Sequence, residues 1–148
     1  MGSEMCIRDS THSNQATSLP ALHTQLAQGI AAFNAAMIEL GINNDVTLFT
    51  CSDFGRTTTD NGDGTDHGWG AHQFVVGGAV NGNRIYGTVP PPELGLETYT
   101  ETRGRLIPTV SVDQYAATLG EWFGLSSGEV ADVLPNLANF SEKNLGFV

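Results

Sequence analysis

The stretch from Val46 to Trp69 constrains this chain more than any other. Val46, Thr47, Leu48, Phe49, Thr50 and Cys51 are β-branched, aromatic or small, and Ile42 to Asp45 before them read as a turn. Such a run suits a central parallel strand, because a strand buried on both faces has no use for alternating polar residues. At its carboxyl end the composition switches to Ser52, Asp53, Phe54, Gly55 and Arg56. In open α/β sheets ligands bind outside the carboxyl ends of strands, so a carboxylate and a guanidinium there read as a site before they read as a turn. Asp66 and His67 follow in a Gly-rich loop, from which carboxylate and imidazole can converge on the same point.

Upstream, Leu22, Leu26, Ile30, Phe33 and Met37 recur at helical spacing among alanines, with Pro20 as a first-turn residue. The pattern predicts a helix over Pro20 to Leu40, closed by Gly41. Helix, short turn and buried strand make half of a βαβ crossover whose first strand would precede Thr11. Downstream, Gln73 to Val80 predicts a short strand, and Asn81-Gly82 a hairpin returning through Arg84 to Gly87. Pro90 to Gly104 reads as an irregular excursion. Ser111-Val112-Asp113-Gln114 predicts a capping box opening a helix that Gly124 closes, with a second short helix from Ser127.

With 148 residues and 40% hydrophobic content, the chain can bury a core as one domain. The net charge of −10 argues against nucleic acid and anionic membranes as partners. No apolar run is long enough for a membrane span. Cys6 and Cys51 give no disulfide framework, and Cys51 reads as a small buried hydrophobe. Met1 to Ser10 carry neither periodicity nor a targeting signature, and they read as a non-native leader ahead of a domain over 11–148.

His12, Asp53 and His67 are the residue types that bind zinc or a similar divalent ion. None forms a close-spaced ligand pair, so each keeps a structural alternative: Asp53 as a turn cap, the histidines as solvated or terminal residues. Arg56, Asp66 and His72 are the candidates for contacting substrate. Asp60, Asp63 and Asp66 fail the EF-hand register, and neither a nucleophile elbow nor a Walker phosphate loop is present.

The segments T-H-S-N-Q, V-T-L-F-T-C-S-D-F-G-R-T, N-G-D-G-T-D-H-G-W-G, H-Q-F-V-V-G-G-A-V, G-R-L-I-P-T-V-S-V-D-Q-Y and P-N-L-A-N-F, in this order, resemble an uncharacterised bacterial family. That family is sulfatase-like, exported by the twin-arginine route, and placed in the alkaline phosphatase superfamily. The resemblance runs from Thr11 to Val148 and implies the C-terminal part of a three-layer α/β/α sandwich with a mainly parallel sheet. It further implies a periplasmic or exported hydrolase of phosphate or sulfate esters, with two metals about 4 Å apart clamping the ester oxygens. Asp53 would ligate one metal, and His12 and His67 the other. Phe54 stands where many superfamily enzymes place a second metal-binding His, and Ser10 where the family shows Asp. The nucleophile-bearing half would lie upstream of this chain. A non-catalytic exported binding or scaffold protein on the same fold is the alternative.

Overall fold

Two sets of contacts organise the chain in its computed structural model, which describes residues 11–90 and 103–148. One unit takes in the described residues of Met1–Gly78 and Pro90–Pro108; the other is Ala79–Val89 with Thr109–Val148. Met1 to Ser10 and most of the excursion after Pro90 lie outside the described residues.

In the first unit, helix α1 spans Gln15–Glu39, so it starts ahead of Pro20 and carries that proline in its interior. A proline there removes one donor, yet the helix continues on the alanines and leucines around it. Asn14, at φ 54°, gives no side-chain cap, and the first helical amide is met from a distance: Gln15 N–H donates to the Asp63 carbonyl at 3.0 Å. The other end closes as the sequence predicts. Gly41 takes φ 72° and donates to Ile38 O, while Ile42 donates to Met37 O, which is a Schellman motif. No residue of α1 is buried.

The central parallel strand is corrected. Strand β1 is only Thr47–Phe49, and it pairs antiparallel with β4, Val75–Gly77, with Thr47 opposite Gly77 and Phe49 opposite Val75. These two strands make a complete two-stranded sheet among the described residues. Strands β2, Gly55–Asp60, and β3, Thr65–Gly68, form a second antiparallel pair. The architecture is therefore not an alkaline-phosphatase-like α/β/α sandwich with a mainly parallel sheet. An apolar run announces a strand but says nothing about the direction of its neighbour. The close approach of this partner needs glycine at 77 and 78: a Cβ on either would collide with Val46 O or with Asn43 and Asn44, and without one Gly78 N–H reaches Asn43 O at 2.7 Å. Cys51, read as buried, is exposed.

The β2–β3 hairpin is built from residues that read as loop. Thr57, Thr58 and Thr59 supply the β-branched content, and the turn from Asn61 to Gly64 is held by side-chain oxygens. Asn61 Oδ1 accepts from Asp63 N and Gly64 N, and Asp60 Oδ1 accepts from Gly62 N, where φ is 99°. The register shifts between Arg56 and Asp60. At this bulge Thr57 Oγ1 accepts from the Asp66 amide at 3.1 Å, replacing a ladder bond. The segment 103–106 runs beside the hairpin: Thr58 N–H donates to Gly104 O and Gly70 N–H to Leu106 O.

The second unit follows local rules. Helix α2, Val112–Trp122, and helix α3, Ser127–Val133, each begin with a complete capping box, Ser111 with Gln114 and Ser126 with Glu129. Gly124 ends the first at φ 109°. A 3-10 turn over Pro135–Asn139 brings Leu137 against Ala117 and Val130, with Leu134 packed on that cluster. The expected return hairpin through Arg84 to Gly87 is absent; Asn81 instead binds the C-terminal tail, donating its amide to Phe147 O and Nδ2 to Gly146 O. Phe147 is buried between the Tyr86 and Tyr115 rings. Among the described residues no helix is long and apolar enough to cross a membrane.

Candidate functional site

The histidines and acids singled out from sequence gather unevenly, and the hairpin decides how. Thr11 is buried beside the β2–β3 turn, where its carbonyl accepts from Thr65 N at 3.3 Å. That contact requires glycine at 64, since a Cβ there would overlap the Thr11 and His12 carbonyls. His12 is thereby carried onto the hairpin. Its Nδ1 lies 3.5 Å from Asp66 Oδ1, and its ring centroid lies 6.2 Å from that of His67, nearly perpendicular at 77°. Both members of the His12–Asp66 pair stay more than half exposed, so their attraction is screened and adds little to stability.

Around this pair the neighbours are polar on one side and aromatic on the other. Asn61 Nδ2 donates to the His12 carbonyl at 2.9 Å and to Asp66 Oδ1 at 3.1 Å. The Phe54 ring stacks on His67 at 3.8 Å, and the Arg56 guanidinium lies 5.6 Å from the Phe54 centroid. Arg56, opposite His67 in the ladder, also donates Nη1 to the Thr65 carbonyl at 2.6 Å. Asp53 occupies an exposed bend just before β2 and makes no ion pair or hydrogen bond with another described residue. His72 is exposed in the segment between β3 and β4. The arrangement thus joins His12, Asp66 and His67 with Arg56 nearby, and keeps Asp53 and His72 out of that set of contacts.

Asn61 carries no acid, base or metal-binding group that the sequence singles out, although its Asn-Gly dipeptide signals a turn whose side chain bonds the backbone. What the sequence does not announce is that the other half of the same amide bridges His12 and Asp66. Chemically, the cluster offers two imidazoles, one carboxylate and one guanidinium at a water-accessible surface. Among the described residues no group of three or more His, Cys, Asp or Glu side chains is arranged to hold a metal ion.

No curated protein and no solved structure matches the chain. No sulfatase or alkaline phosphatase family model matches it either, which overturns the resemblance drawn from the motifs. Short segments such as a strand-end Ser-Asp or a Gly/Asp turn serve common backbone needs, so their order does not by itself fix a superfamily. One family model does match, over residues 10–134, and by it the chain belongs to the family described as "Protein of unknown function (DUF1501)".

Proposed function

We propose that this chain is part of a metal-dependent hydrolase of phosphate or sulfate esters, in which His12 and His67 are imidazole ligands of one divalent ion. The observation that carries the reading is the approach of the two rings to 6.2 Å with Asp66 beside His12 Nδ1 at 3.5 Å. A carboxylate at Nδ1 favours the tautomer protonated there, which leaves the Nε2 lone pair free. Carboxylate, histidine and metal in that sequence are a common way of orienting a ligand. Zinc or a similar ion suits imidazole donors, and its remaining positions would go to water, substrate oxygen or a further carboxylate. Such an ion supplies Lewis-acid charge to an ester oxygen and acidifies bound water. Arg56 keeps a planar cation on the same hairpin, a shape matched to phosphate or sulfate oxygens.

Phe54 favours a second reading, a non-catalytic exported binding or scaffold protein. Its ring stacks on His67 at 3.8 Å and gives that side of the cluster hydrocarbon and no metal donor. Metal analysis of the full-length protein after equilibration with Zn2+ and dialysis separates the two. On the hydrolase reading the wild type keeps stoichiometric metal, His12→Ala and His67→Ala lose it, and aryl phosphate or aryl sulfate is cleaved by the wild type alone. A wild type that holds no metal sinks this reading and leaves the scaffold.

A further inference from the structure

We infer that Asn61 is the positioning residue that holds His12 and Asp66 in register; the inference rests on the metal-site reading for its consequence but not for its geometry. One side-chain amide does two jobs. Its oxygen accepts from Asp63 N at 3.2 Å and Gly64 N at 2.8 Å, which shapes the hairpin turn. Its nitrogen donates to the His12 carbonyl at 2.9 Å and to Asp66 Oδ1 at 3.1 Å, which ties two segments far apart in sequence. Asn61 also closes the turn through its backbone, donating N–H to Gly64 O at 2.9 Å.

The second job exceeds what the turn needs. An Asx turn uses only the acceptor oxygen, and Asp, Asn or Ser can supply one. Only an amide provides that acceptor together with two donors on the same planar group. Asp66 Oδ1 is the atom that also faces His12 Nδ1. Asn61 therefore holds the carboxylate oxygen that lies 3.5 Å from the imidazole Nδ1. With Gly64 admitting the Thr11–His12 backbone and Gln15 N–H bound to Asp63 O, the start of α1 is docked on this turn by contacts that all pass within a few residues of Asn61.

Asn61→Asp isolates the second job. An aspartate keeps the acceptor for Asp63 and Gly64, loses both donors, and sets a second negative charge beside Asp66. Two readouts on the full chain test it. The first is the 15N shift pattern of the His12 ring, which distinguishes the Nδ1-protonated tautomer from the Nε2-protonated one and needs no metal. The second is Co2+ or Zn2+ affinity, which should fall about ten- to a hundredfold, as for other groups that orient a metal-binding histidine. The exchanged variant Asn61→Asp with Asp66→Asn restores one donor–acceptor pair and should recover part of the tautomer preference.

A wild-type His12 ring that is not predominantly Nδ1-protonated overturns the inference. So does an Asn61→Asp chain with the wild-type His12 pattern. Loss of cooperative unfolding in Asn61→Asp overturns it as well, because Asn61 would then act on the fold and not on the site. If the wild type binds no metal while the His12 pattern responds as stated, the metal reading fails and the positioning role stands.

Discussion

The two units of this protein solve the same problem with different means. The unit containing Thr109–Val148 buries a small apolar cluster, Ala117, Val130 and Leu137, beneath two helices that each cap themselves. The unit containing α1 and the two small antiparallel sheets leaves the whole helix without a buried residue, with Leu26 44% and Phe33 37% exposed. What orders its turns is polar: Asn61, Asp60 and Thr57 side chains bonded to backbone amides, and glycines that let two backbones touch. Apolar burial tolerates small shifts because it has no direction. A hydrogen-bonded turn does not, so a side chain built on it keeps a defined position. That difference accounts for where the histidine cluster sits.

The strongest way to break the contrast is truncation of matched leucines. Leu137→Ala, at 4% exposure, should cost about 2–5 kcal/mol through lost transfer energy and a cavity, whereas Leu26→Ala should stay within about 0.5 kcal/mol. Denaturant unfolding in a Trp69→Phe background reads the first through Trp122, which lies in that helical unit. A large cost at Leu26 would mean that α1 buries its apolar stripe in solution.

Next in size is overpacking at the polar turn. Gly64→Ala puts a Cβ onto the Thr11 and His12 carbonyls and should cost about 1–3 kcal/mol. It should also separate the His12 and His67 rings, visible as loss of cross-peaks between them in a two-dimensional NMR spectrum. Retention of those contacts would show that the hairpin does not hold His12.

Removing a cap should be milder. Ser111→Ala deletes the acceptor for the Gln114 amide and should destabilise α2 by about 1 kcal/mol, measurable as a lower unfolding midpoint. The same midpoint left unchanged would imply that the tail contact from Gln114 to Glu142 O carries that end of the helix.

The smallest effect is a pH dependence. Hydrogen bonds from the Ser126 hydroxyl and then its backbone amide hold the Glu129 carboxyl below its ordinary value of 4.5. A carboxylate whose folded pKa is depressed stabilises the fold above the unfolded value and loses that contribution as pH falls through the folded one. The stability difference between wild type and Glu129→Gln should therefore shrink as pH drops below 4.5. An unchanged difference in acid would remove Glu129 from the cap.

Local chemistry determined part of this molecule by itself. The α1 stripe, its Gly41 closure, the Ser111 box and the Gly124 stop all depend on neighbours within a turn of helix, so they are legible in order along the chain. His12, His67 and Asp66 stand out as chemistry-bearing types for the same reason. Tertiary structure alone decided that Val46 to Cys51 shortens to a three-residue, half-buried strand with an antiparallel partner, whose close approach needs glycine at 77 and 78. It also decided that Asp66, not Asp53, faces His12, since register across a bulged hairpin is set by which backbone amides find acceptors. Periodicity reports which residues prefer burial; it carries no information about which distant carbonyl an amide will meet.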